Sequence, residues 1–154
     1  MSQFEKGNQT GETAASQLAE FVTYSIIGHS ERREKLKEDE KQLEQKVKMA
    51  KAANIEPIFC VQDENTQIPE GVSTVAYEPP GSIGNDNPQP VEKVKEVIDK
   101  IRAKGAAQVL YGGSVSPDNV SSYIKTANAD GVLVGASHCL DPQDFIKILE
   151  AVNS

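Results

Sequence analysis

The chain has 154 residues, 38% of them hydrophobic, and a formal net charge of -7 at neutral pH, with a pI near 4.9 and a mean hydropathy of -0.46. That acidity excludes a nucleic-acid backbone as the expected partner, because such binding relies on clustered Lys and Arg, and the only Arg pair, Arg32-Arg33, is flanked by Glu31 and Glu34. The length fits one domain, no apolar run is long enough to span a bilayer, and the polar start MSQFEKGNQTGE has no apolar signal core; Cys60 and Cys139 form neither a disulfide framework nor a metal spacing, so reduced thiols in a cytoplasmic protein are expected.

A weak helical pattern at 13–20 leads into a β-branched run at 22–27 (VTYSII), which ends in Gly28-His29-Ser30-Glu31 and two arginines. In 38–53, Leu43, Val47 and Ala50 share one helical face, and Glu44 stands four residues before Lys48 on the wet side. The run 55–61 (IEPIFCV) is a second strand. The polar stretch 62–71 (QDENTQIPEG) is too short for a helix with two loops, which predicts a turn or a single helical turn.

The third strand, 72–77 (VSTVAY), ends in Tyr77-Glu78-Pro79-Pro80, and the Gly-, Pro- and Asn-rich stretch 79–87 has the make-up of a lid. Pro88 and Pro90 mark the start of a helix over 90–104 with Val91, Val94, Val97, Ile98 and Ile101 as its stripe. The fourth strand, 107–111, ends in Tyr111-Gly112-Gly113-Ser114. The next helix, 117–127, is begun by Ser116 and Pro117 and carries Val120, Tyr123, Ile124 and Ala127. The fifth strand, 130–134, ends in Gly135-Ala136-Ser137. A last helix, 142–152, is capped by Asp141 ahead of Pro142 and carries Phe145, Ile148, Leu149 and Val152. No repeat or domain boundary interrupts the series.

Apolar strands alternating with amphipathic helices predict parallel β/α units. In that architecture chemistry collects where strands end and helices begin, so the four strand ends bearing His29, Glu78, Ser114 and Gly135 are expected to share one mouth. A carboxylate there can take a proton from carbon, and an imidazole can donate a hydrogen bond to a carbonyl where charge develops. Glycine-rich strand ends before a helix admit a phosphate to backbone N–H groups. Taken singly, each residue is ordinary. His29 reads as a capping or satisfied polar residue, Glu78 as a strand end, Gly-Gly-Ser as a turn, and His138 as a surface residue.

In this order, YSIIGHSERR, VAYEPPGSIG, VLYGGSV and DGVLVGAS, preceded by Gly7-Asn8-Gln9-Thr10-Gly11-Glu12, resemble the triosephosphate isomerase family over nearly the whole chain. The resemblance implies an α/β fold of the parallel (β/α) TIM-barrel type. It implies that Glu78 shuttles a proton between C1 and C2 of a triose phosphate and that His29 polarises the carbonyl. Glu31 becomes an orienting carboxylate. Gly84, Ser114 and the backbone at Gly135 and Ala136 hold the phosphate, Tyr111 and Ser114 latch the lid, and Arg32 and Arg33 support the rim and the subunit contact. It further implies a glycolytic, homo-oligomeric isomerase needing no metal or organic cofactor, with no nucleic-acid or membrane partner.

A closed barrel needs eight units and roughly 250 residues, and five strands are legible here. Residues 1–154 are therefore expected to be one C-terminal portion of such a barrel, without the three N-terminal strands and the family's active-site lysine; Lys6 lies in a polar loop. The lid differs too, with Pro80-Gly81-Ser82 and Asn85-Asp86-Asn87 where the family has an apolar hinge and Thr-Gly-Lys, and Ala136 replaces a second glycine. The alternative is a non-catalytic phosphate-binding or structural remnant. A lysine ammonium at the mouth separates the two.

Overall fold

The computed structural model describes residues 1–83, 87–135 and 137–153. Two compact units emerge, Met1–Cys60 with Gln67–Ser73, and Val61–Thr66 with Thr74–Ser154.

The first unit contains α1 (Ala15–Leu18), β1 (Tyr24–Ile27), α2 (Ser30–Leu36), α3 (Glu40–Ala52) and most of β2 (Glu56–Val61). β1 and β2 pair in parallel from Tyr24 opposite Glu56 to Ile27 opposite Phe59. Helix α3 forms where its periodicity predicts, with Leu43, Val47 and Ala50 buried. Its start has an Asp39–Gln42 capping box, in which the Asp39 side chain accepts from Gln42 N and the Gln42 side chain from Asp39 N. Glu44 and Lys48 pair at 2.7 Å on the wet face. Helix α2 stands where the sequence offered no helical pattern. Leu36 is its one apolar residue, and it is exposed, so there is no stripe to read.

Between α2 and α3, the buried Glu38 accepts hydrogen bonds from Arg32 (Nε, 2.7 Å) and Lys46 (Nζ, 2.5 Å). Burial opposes its charge, but the hydrogen bonds from Arg32 and Lys46 win and hold its carboxyl below the ordinary 4.5. A lowered folded-state value stabilises the fold above the unfolded pKa, and that contribution is lost as pH falls through the folded value. Glu38→Gln leaves Lys46 buried without its counter-charge and is expected to cost roughly 3 kcal/mol at neutral pH. Urea melts at about pH 6 and about pH 3 should also show a smaller loss on acidification than in the parent. An unchanged midpoint would make this pair solvated.

The second unit contains β3 (Thr74–Tyr77), α4 (Val91–Ala103), β4 (Gln108–Tyr111), α5 (Val120–Lys125), β5 (Gly131–Val132), α6 (Ser137–Leu140) and α7 (Pro142–Asn153). β3 pairs in parallel with β4, Thr74 opposite Gln108 to Tyr77 opposite Tyr111, and β4 pairs with β5. Four of the five expected positions, Val94, Val97, Ile98 and Ile101, are the buried face of α4, and Val91 at its start is half-buried. Asp141 caps α7, its Oδ1 accepting from Gln143 N at 2.8 Å.

The expectation for 62–71 is met as a turn rather than a helical turn, which Asp63 Oδ1 closes by accepting from the amides of Asn65 and Thr66. Two expectations need correction. Helix α5 starts at Val120 rather than at 117, because Ser116 C=O accepts from both Asn119 N and Val120 N and Asn119 Oδ1 accepts from Ser116 N, making a tight turn first. In α7 only Ile148 of the expected stripe is buried, while Phe145 and Leu149 are exposed. Among the described residues no element covers that side.

Candidate functional site

The first unit presents its strand end through β1. Gly28 takes a φ of +80°, and a Cβ there would meet Arg33 Nη2 at 3.1 Å and Cys60 O at 3.4 Å, so only glycine fits this turn. Arg33 explains the crowding. Its Nε donates to Gly28 O at 2.7 Å and its Nη2 to Cys60 O at 3.3 Å, tying the ends of β1 and β2 together. Its guanidinium also lies 5.7 Å from the centre of the Phe59 ring.

His29 follows as the N-cap of α2, its Nδ1 accepting from Glu31 N at 3.2 Å. A neutral ring that accepts at Nδ1 carries its proton on Nε2. The same imidazole is therefore a cap at one nitrogen and a donor at the other. Glu31 stands on the exposed side of α2, bound to Lys35 Nζ at 2.9 Å, and that hydrogen bond holds its carboxyl below the ordinary range. Arg32 turns to Glu38. Lys6 and the stretch Thr10-Gly11-Glu12 are exposed.

The second unit presents Glu78 directly after β3. Its amide donates to Val61 O at 2.8 Å, and the residue is 1% exposed. The neighbouring strand end approaches closely. Gly112 N donates to Tyr77 O at 2.9 Å, and a Cβ on Gly112 would lie 3.2 Å from Glu78 Cγ. A Cβ on Gly113 would lie 2.8 Å from Tyr111 Oη and 2.9 Å from Pro79 Cγ. The Gly-Gly pair is what lets the two strand ends touch.

Ser114 has a φ of +41°, a left-handed conformation rare for a serine, and its Oγ donates to Ser82 O at 2.6 Å. Tyr111 Oη accepts from Gln89 N at 3.3 Å. Both hydroxyls thus hold described residues of the connection between β3 and α4. Gly135 follows β5 and is exposed, with open space where a Cβ would stand. Gly84 and Ala136 lie outside the described residues. The structure therefore brings Glu78, Tyr111 and Ser114 together within the second unit, and it sets His29 and Glu31 on the first.

Several contributors went unread in the sequence. Asp130 Oδ2 accepts from Val109 N at 2.7 Å and from Arg102 Nη2 at 2.6 Å, fixing the start of β5 beside β4. Gln89 accepts from Tyr77 Oη through its side chain (2.8 Å) and from Tyr123 Oη through its carbonyl (2.7 Å). An Asp before a strand and a Gln between two prolines carry no pattern that singles them out. Among the described residues there is no group of three or more His, Cys, Asp or Glu side chains able to hold a metal, and no helix is long and apolar enough to cross a membrane.

The family model described as triosephosphate isomerase matches residues 1–152. A triosephosphate isomerase of Caldanaerobacter subterraneus subsp. tengcongensis is 34% identical over 179 aligned positions, covering 94% of this chain and 72% of the relative. One from Coxiella burnetii is 34% identical over 188 positions, covering 99% of this chain and 73% of the relative. The crystal structure of triosephosphate isomerase from Bartonella henselae superposes with a TM-score of 0.84 at 28% identity, over 99% of this chain and 74% of that one. The fold is thus the parallel α/β architecture of that barrel, in part.

Proposed function

The chain belongs to the triosephosphate isomerase family, and from that premise we propose that residues 1–154 are the C-terminal portion of a barrel interconverting dihydroxyacetone phosphate and D-glyceraldehyde 3-phosphate. The observation that carries this reading is the buried Glu78 carboxylate packed against Gly112 at the paired ends of β3 and β4. In the forward direction Glu78 takes a proton from C1, while His29 donates from Nε2 to the C2 carbonyl oxygen, where negative charge grows. Glu78 then returns its proton to C2, and the O1 hydroxyl proton passes to O2, which leaves a C1 aldehyde and a C2 hydroxyl. Backbone N–H groups around Ser114 and Gly135 hold the phosphate, which keeps the intermediate from leaving. The reading makes the protein a cytoplasmic, glycolytic homo-oligomer acting on a small phosphorylated triose. It assigns no metal or organic cofactor to the reaction, because proton transfer between neighbouring carbons needs neither.

The test is a coupled isomerase assay on the 154-residue chain alone and on the chain fused to the three N-terminal β/α units of a relative, with their lysine. Activity is expected in the fusion and far less, or none, in the chain alone. A folded fusion without activity would support a non-catalytic remnant instead.

The phosphate assignment has its own prediction. Ser114→Ala and Gly135→Val in the fusion should each weaken inhibition by phosphate-bearing mimics of the enediolate by about tenfold, one by freeing the Ser82 carbonyl and the other by obstructing backbone donors. Gly113→Ala should do the same by forcing Tyr111 and Pro79 apart. Unchanged inhibition constants in all three would move the phosphate elsewhere.

A further inference from the structure

Three tyrosines from three elements aim their hydroxyls at one residue. Gln89 N donates to Tyr111 Oη, Tyr123 Oη donates to Gln89 O, and Tyr77 Oη donates to Gln89 Oε1. The rings of Tyr111 and Tyr123 stack with centroids 4.1 Å apart, and the Tyr77 ring centroid lies 6.2 Å from that of Tyr111. The backbone N–H and C=O of Gln89 are thus each tied to a phenol, and the carboxamide adds a third tie. Burial raises all three phenols, Tyr77 to about 12, so the donors stay protonated around neutrality.

The ties are unequal in what they reach. Tyr77 immediately precedes Glu78, and Tyr111 immediately precedes Gly112-Gly113-Ser114. Gln89 itself precedes Pro90, the N-cap of α4. Tyr123 lies on α5 and brings no site residue with it, so its bond serves only to fix Gln89.

We infer that Gln89 is a positioning residue, a clasp whose bonds to Tyr77, Tyr111 and Tyr123 fix the end of the β3-to-α4 connection and hold the strand ends bearing Glu78 and Gly112–Ser114 in register. The catalytic meaning of that register rests on the isomerase reading given above. The clasp itself rests on the hydrogen bonds. A clasp at this point transmits to both strand ends because the Tyr111 ring is held between Tyr77 (tilted) and Tyr123 (stacked), and loss of the Tyr111 or Tyr123 tie frees a backbone group of Gln89.

Site-resolved amide hydrogen exchange on the 154-residue chain tests it, with Tyr123→Phe and Gln89→Met, which keep ring stacking and side-chain length. Tyr123→Phe should speed exchange at Gln89 about tenfold, and Gln89→Met should speed it at Gly112 by a similar factor, with the middle of β4 within about twofold of the parent. Unchanged rates at Gln89 and Gly112, or equal acceleration throughout β3 and β4, would overturn the clasp. In the fusion enzyme Gln89→Met should lower kcat about tenfold with KM within about twofold, and Gln89→Glu, which keeps the acceptor, should restore it. A raised KM with kcat unchanged would overturn the positioning role. An inactive fusion that still shows the localised exchange pattern would count against the isomerase reading and for the clasp.

Discussion

Glu78→Asp is expected to lower kcat of the completed barrel by about 100-fold while changing KM little, because the shorter side chain draws the carboxylate back from the carbon acid by about one methylene. The surroundings make the loss hard to recover. Glu78 is held by its amide to Val61 O and packed at its Cγ against Gly112, and its buried position leaves the backbone no slack to follow the shortened chain. In the proposed reaction, substrate binding uses phosphate contacts around Ser114 and Gly135, which the substitution does not touch. Gly112→Ala is the complementary probe, since its Cβ would press on Glu78 Cγ from 3.2 Å away and displace the same carboxylate without shortening it. Steady-state kinetics decide between roles. Equal kcat in Glu78→Asp and the parent would remove Glu78 as the base, whereas a raised KM alone would make it a binding group.

How much of this was legible in the sequence depends on which force shapes each element. Helices α3 and α4 were readable because burial of Leu43, Val47 and Ala50, and of Val94, Val97, Ile98 and Ile101, imposes the helical period on the sequence. Helix α2 was not, because it is held by polar bonds: His29 caps it and Arg33 reaches back to Gly28 O and Cys60 O. The strand ends announced themselves through their Gly-rich, ionisable composition, yet the role of each residue was open. His29 does act as a cap, as its bland reading had it, and a cap through Nδ1 is compatible with a donor at Nε2. The Gln89 clasp was invisible, since its partners come from β3, β4 and α5 and only tertiary structure joins them.

Length tells a related story. The alignment with the Caldanaerobacter relative runs over 179 positions, while this chain has 154 residues, so at least 25 positions of the relative have no counterpart here. The connection from β2 to β3 is the one strand-to-strand connection among the described residues that contains no helix. Asp63 closes its own turn, and Lys100 on α4 pairs with Glu64 at 2.9 Å, which pins this helix-free connection to the next helix.

The 154 residues alone are expected to self-associate, and the strand edge of the first unit says where. β1 pairs with β2 and with no other described strand, so one row of its backbone donors and acceptors is open to another chain. Around that edge Phe21 is 75% exposed, Tyr24 57% and Ile26 45%. In the second unit Leu140 is 82% exposed, and Phe145, Ile146 and Leu149 are open on α7. Monomers seldom leave apolar groups of this kind uncovered, and the net charge of -7 is spread over helices that do not screen them. Sedimentation velocity should therefore show dimers or larger species at micromolar concentration, with binding of a hydrophobic dye. Fusion to the N-terminal β/α units of a relative should remove the dye signal by pairing β1. Tyr24→Lys with Ile26→Lys should reduce association in the chain alone, because two ammonium groups at an open edge oppose strand addition. A dye-silent monomer of the 154 residues with a cooperative melt would show instead that the open edge is tolerated, and would overturn the expected self-association.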